Sequence, residues 1–293
     1  MSVALRADGI TKAYGPDSIV EDASLAVQEN EILLLMGPNG VGKTVLLSCL
    51  AGATTPETGT VEVFETPVAE ARGSHTSFLG QDAMGMETLS GREVVAFYRD
   101  LHPAFTERWR EYVETMGIED ELDKRFEHYS GGMKRKLELA IALSIDAPIY
   151  LLDEPTAGVD LSMVQAFHNA ILDQHEEGKT IVFTSHRPAD AELADRIAFM
   201  VDGDITTVGT PDELMTAVPN VVRITGASTA TEPERHVVGR KLFHHGAELR
   251  GFLASDATVE TVRETVARVA PDAAVETVAP SYTDLFNYHV HAV

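Results

Sequence analysis

Residues Gly37–Thr44 read "GPNGVGKT", which fits the pattern G-x-x-x-x-G-K-[ST]. Gly37, Gly40 and Gly42, with Pro38, Asn39 and Val41 between them, let the backbone turn its N–H groups inward around phosphate. Lys43 adds a point charge for the β- and γ-phosphates, and the Thr44 hydroxyl suits Mg²⁺. Downstream, "IYLLDEP" ends an apolar run on two acids, Asp153 and Glu154. The first suits a metal ion beside phosphate. The second has no packing reason to be there and suits a general base acting on an attacking water. A further anion site is expected at "YSGGMKRKLELA", Tyr129–Ala140. Ser130 is a good N-cap, and Gly131 and Gly132 leave N–H groups bare at a helix start. Lys134, Arg135 and Lys136 sit where the helix dipole disfavours cations, as if awaiting a phosphate.

These residues need a strand–loop–helix unit and a second buried strand to hold them. "EILLLM" before the glycine loop and "VLLSCLAG" after it supply that unit, and "KTIVFTSH" (residues 179–186) reads as a third buried strand. Short strands with a turn at "YGPDS" are expected in the first thirty residues, and a strand over "GTVEVFETPV" (residues 59–68). Mostly helical sequence follows from about Ser90 to Asp146, with a break at Pro103 and a helix end at Pro148; "RIAFMVDGDI" reads as a hairpin. Strands alternating with helices predict a mainly parallel sheet. The pattern changes near Pro219, after which a small α+β unit is expected, its helices in "TVETVRETVARVA" and "SYTDLFNYHV".

The net charge of −23 argues against nucleic acid bound through a basic face; it suits a protein working in molar salt, with an acidic mesophilic protein as the alternative. A single cysteine, Cys49, permits no intrachain disulfide and fits a reducing compartment. The first ten residues lack the regions of a signal peptide, and the apolar runs are far below a membrane span of roughly 18 residues. A soluble, cytosolic chain is expected.

The order of these motifs resembles the ATP-binding subunits of ABC transporters over about residues 3–218. Gly37–Thr44 resembles Walker A, Ile149–Glu154 Walker B, and Ser130–Gly132 the family signature. Gln81 in "FLGQD", Asp160 in "AGVD", His186 in "FTSH" and Tyr14 in "KAYG" match the Q-loop, D-loop, switch histidine and adenine-stacking aromatic. The resemblance implies an α/β P-loop NTPase fold, an ABC-type ATPase domain at residues 1–218, with an antiparallel β subdomain and a helical subdomain at about 85–146, plus an accessory α+β domain at 219–293. It implies ATP and Mg²⁺ as cofactors. Glu154, His186 and Gln81 would be catalytic; Thr44, Gln81 and Asp153 would hold the metal; and Tyr14, the loop from Gly37 through Val45, Ser130, Gly131, Gly132 and Asp160 would bind nucleotide. It further implies a head-to-tail dimer with a second copy or a homologous subunit, in which the Ser130 helix serves the partner's ATP.

"YSGGM" is similar to the branch that exports drugs, lipids and polysaccharides, and "PSYTDLFNYHV" is similar to the ending of exporter-type subunits. The expected function is ATP hydrolysis powering a separate multi-span permease, with the chain peripheral on the inner face of the cell membrane. An importer subunit and a soluble assembly ATPase are the alternatives. Val45 departs from the usual hydroxyl residue after Walker A, and Glu65 from a usual turn glycine. "LSGRE" (residues 89–93) looks like the start of the helical subdomain rather than a signature, and Gln81 to about Phe105 is expected to face the permease. His244, His245, His289 and His291 read as solvated rather than metal-bound, Cys49 as core, and Trp109 as packing beside Tyr112 and Val113.

Overall fold

The computed structural model describes residues 2–71, 75–81, 86–227 and 233–292. Two compact units divide the chain: residues 1–186 with 193–206, and residues 187–192 with 207–293. The compositional change at Pro219 lies further on. Helix α6 (Pro211–Ala217) packs on the C-terminal helix α8 (Tyr282–Asn287), so it belongs with the second unit.

In the first unit β1 (Val3–Tyr14) and β2 (Asp17–Gln28) form a long antiparallel hairpin rather than several short strands. β3 (Ile32–Met36) is buried throughout and runs into the glycine loop and α1 (Lys43–Leu50). β4 (Thr58–Val63) and β5 (Thr66–Pro67) complete a sheet of order β2-β1-β4-β5. Next come β6 (Thr76–Leu79), α2 (Gly91–Leu101), α3 (Trp109–Thr115), α4 (Gly131–Leu143) and β7 (Ile149–Leu152). They are followed by α5 (Leu161–Glu176), β8 (Thr180–Ser185), β9 (Arg196–Val201) and β10 (Asp204–Gly209), through which the chain leaves this unit.

The central sheet has the order β10-β9-β3-β8-β7-β6, and the pairs β9–β3, β3–β8, β8–β7 and β7–β6 are all parallel. Strands buried on both faces must be apolar runs, as "ILLLM" and "IYLL" are. α1 packs against β1, β2 and β7, while Phe167 of α5 meets Phe183 of β8 edge-on at 5.7 Å. The glycine loop, Gln81, Asp153–Glu154 and His186 therefore follow the carboxyl ends of the parallel strands β3, β6, β7 and β8, the usual place for a ligand crevice in such sheets.

The second unit is a four-stranded antiparallel sheet of β11 (Val221–Thr225), β12 (Phe243–His245), β13 (Glu248–Phe252) and β14 (Ala274–Val278), in the order β12-β13-β11-β14. α7 (Val259–Val269) buries Val262 and Val266 against Ile224, Leu249 and Val275. α8 starts with a capping box of Ser281 and Asp284 and is tied to β13 by Arg250–Asp284 at 3.0 Å. Among the described residues no helix is long and apolar enough to cross a membrane.

Candidate active site

Between β3 and α1 the loop wraps tightly. Gly42, at φ 108, caps α1 with no side chain, and a Cβ on Gly37 would lie 2.4 Å from the Met200 carbonyl oxygen. Pro38, Asn39, Gly40 and Val41 line a hollow of about 440 Å³ with Ser18, Ile19, Asp202 and Gly203. The Lys43 ammonium is folded beneath its own loop, donating to the carbonyls of Gly37 (2.9 Å) and Pro38 (3.0 Å). Burial pushes its pKa down, while Glu154 and Asp153 oppose that shift.

Asp153 and Glu154 follow β7, whose neighbour is β8. Asp153 is fully buried. Its Oδ1 accepts from the Thr184 hydroxyl at 2.6 Å, and its Oδ2 is buried with no hydrogen-bond partner. An ionised carboxylate oxygen left bare in the interior is costly unless a cation completes it. The other oxygens expected at the metal are the Thr44 hydroxyl and the Gln81 amide oxygen, 3.3 Å apart. Three hard oxygen donors fit Mg²⁺ better than a soft metal.

Glu154 takes the left-handed backbone at φ 42, a strained conformation for a side chain of this kind. Its N–H donates to Thr184 Oγ1 at 2.7 Å. Its carboxylate accepts from His186 Nδ1 at 3.0 Å and lies 3.9 Å from the Lys43 ammonium. A carboxylate only accepts, so in this pairing the hydrogen is on His186 Nδ1. Lys43, Glu154 and His186 thus share one cluster, with Asp153 beside it.

Ser130 caps α4 through its hydroxyl, which accepts from Met133 N at 3.2 Å. Gly131 is open to solvent. The three following cations each have an acidic partner. Lys134 pairs with Glu87 at 3.7 Å, Arg135 with Glu138 at 3.4 Å, and Lys136 with Asp160 at 3.6 Å. Asp160 caps α5, and its bonds to Ser162 and the Met163 N–H, with Lys136 nearby, bring its pKa down to about 2. Tyr14 is exposed at the end of β1, with the Lys12 ammonium 5.4 Å from its ring centroid. Val45 is part of α1.

The signature's departure at Tyr129 has a local cause. Its ring is buried and its hydroxyl donates to the Glu121 carbonyl at 2.8 Å. A Cβ on Gly91 would fall 2.2 Å from that hydroxyl, so the glycine of "LSGRE" serves the fit of Tyr129. Residues 82–85 of the stretch expected to face a permease lie outside the described residues. Thr184 and Arg135 were not foreseen as site residues; a threonine two places before the histidine and an arginine after "SGGM" carry no signal until β7, β8 and α4 are packed together.

The ABC transporter family model matches residues 20–157. The chain is 33% identical over 219 residues to the daunorubicin resistance ATP-binding protein DrrA3 of Streptomyces coeruleorubidus, covering 72% of this chain and 69% of that one. It is 29% identical over 218 residues to the linearmycin resistance ATP-binding protein LnrL of Bacillus subtilis, covering 72% and 70%. A solved ATP-binding subunit of an ABC transporter has the same fold, with a TM-score of 0.66 at 21% identity, over 73% of this chain and 92% of that one. The chain belongs to the ABC transporter family, as an ATP-binding, ATP-hydrolysing subunit.

Proposed function

We propose that this chain powers an exporter, hydrolysing ATP as a head-to-tail dimer on a separate membrane permease at the inner face of the cell membrane. The observation that carries the reading is the cluster in which the Glu154 carboxylate lies 3.0 Å from His186 Nδ1 and 3.9 Å from the Lys43 ammonium. Lys43 and the loop N–H groups bind the β- and γ-phosphates. Thr44, Gln81 and Asp153 hold Mg²⁺, which supplies charge neutralisation on the phosphates. Glu154 takes the proton of the attacking water, and His186 fixes the orientation of that carboxylate. Tyr14 stacks on adenine. Ser130, Gly131 and Gly132 present the α4 N-terminus to the γ-phosphate held by the partner subunit, with Asp160 beside the shared interface. Export is supported by "YSGGM" and by the resistance functions of the relatives.

The test is the molar mass of the Glu154→Gln protein by light scattering, with MgATP and with MgADP. The expected result is a dimer with MgATP alone, an ATPase rate lowered at least about 100-fold, and loss of the dimer when Lys43→Ala is added. A Lys43→Ala protein that hydrolyses ATP at the normal rate sinks the site assignment. Failure to dimerise even with the co-purified permease sinks the shared-site reading.

A further inference from the structure

Arg135 is the fifth residue of α4, just past its first turn. It is only 7% exposed. Removing a guanidinium from water costs more than its partner Glu138 returns unless further hydrogen bonds are well made. Those bonds are to backbone. Nη1 donates to the Gly80 carbonyl at 2.8 Å, and Nη2 donates to the Asp153 carbonyl. Each carbonyl belongs to the peptide group that leads into a site residue: Gly80 into Gln81, and Asp153 into Glu154. The Asp153–Glu154 peptide is gripped on its other edge as well, because the Glu154 N–H donates to Thr184. A strained φ persists only where the surroundings over-determine it, and here both edges of the preceding peptide are fixed. A cleft of about 240 Å³ joins the same parts, lined by Gly131, Arg135 and Glu138 of α4 together with Gln81 and Glu154.

We propose that Arg135 is a positioning residue for ATP hydrolysis, a clamp that makes Gln81 and Glu154 follow the position of the α4 N-terminus. The inference rests on the proposed roles of Glu154 and Gln81. Under that reading α4 reaches the partner's nucleotide while Gln81 and Glu154 act on the chain's own. A guanidinium joining them inside one subunit then links the two ATP sites. A guanidinium presents its donors in a fixed planar fork, which suits two carbonyls that follow different strands; a lysine ammonium can also donate to two carbonyls, as Lys43 does, but without that fixed geometry.

The experiment compares the full chain with Arg135→Lys, with the double variant Arg135→Met/Glu138→Met, and with Glu154→Gln, over a range of MgATP concentrations. The double variant removes both charges together, a change that buried pairs often tolerate without loss of stability. Expected are a kcat lowered about 10- to 100-fold in the double variant, a KM within about threefold of the parent, and loss of any sigmoidal dependence on ATP. Arg135→Lys should recover part of kcat. Parental kcat in the folded double variant, with Glu154→Gln inactive, overturns the clamp and leaves the site reading standing. A loss that falls on KM or on the folded fraction overturns it too. Undiminished kcat in Glu154→Gln overturns the reading beneath it.

Discussion

Thr184 bonds to both acids. Its hydroxyl gives its hydrogen to Asp153 Oδ1 and accepts from the Glu154 N–H. One oxygen of Asp153 is thereby occupied and the other left for a cation. Thr184→Val keeps the shape and removes both bonds. Leaving a buried acceptor and donor unpaired costs about 1–3 kcal/mol each; under the proposed reading, in which Asp153 holds the metal, disturbing the residue that orients it costs about 10–100-fold in activity. Thermal unfolding and steady-state ATPase rates should show both losses; a Val variant with normal rates means that Thr184 only packs. Lys43, Thr44, Asp153 and Glu154 were picked out by their motifs, and His186 by the family resemblance. Thr184 was not. Its role follows from the register that pairs Leu152 with Phe183 across parallel strands, which brings Asp153 beside Thr184, and strand register between distant segments leaves no local trace.

At the scale of elements, buried strands were legible as continuous apolar runs, and α4 as a capped helix whose Leu137, Ala140, Ile141 and Ser144 are all buried. Its end was less so. Pro148 marked a stop, yet the helix closes at Leu143, because the Ser144 carbonyl is taken by the Thr106 N–H at 2.8 Å and the Thr106 hydroxyl at 2.9 Å. A loop from another part of the chain thus satisfies the helix end. The β4–β5 turn shows the opposite case, where a local departure survives. Phe64 and Glu65 both take positive φ, 47 and 60, as in the tight hairpin turns that favour Asn-Gly. Phe64 is also held by the His75 ring at 5.7 Å, so Glu65 is the replaceable residue. A left-handed non-glycine residue costs about 1–2 kcal/mol, offset in part by the greater unfolded-state freedom of glycine. Glu65→Gly should therefore stabilise the chain by several tenths to about 1 kcal/mol, read as a raised midpoint in urea at unchanged slope. A lower midpoint would mean that the Glu65 side chain carries an interaction worth more than the strain.

The whole molecule carries 46 acidic against 23 basic residues, and its response to salt is decided by two opposing effects. Exposed pairs such as Arg92–Asp123 at 3.0 Å and Arg110–Glu107 at 2.9 Å weaken as ions screen them, but such pairs contribute at most about 1 kcal/mol each. Repulsion among the excess carboxylates acts over the whole surface. It is greatest when the chain is compact, and it too is screened, as the Debye length shrinks from about 10 Å at 0.1 M to about 3 Å at 1 M. With a net charge of −23 the repulsive sum outweighs a set of surface pairs of small individual worth. The thermal midpoint should therefore rise from 0.1 to 1 M KCl and flatten once screening is complete. A denatured chain of the same charge relieves its repulsion by expanding, so the gain belongs to the folded state. A midpoint that falls with KCl would mean that surface pairs outweigh the repulsion and that the acidic excess is no adaptation to salt. A midpoint that keeps climbing linearly beyond 1 M would point to exclusion of salt from apolar surface instead.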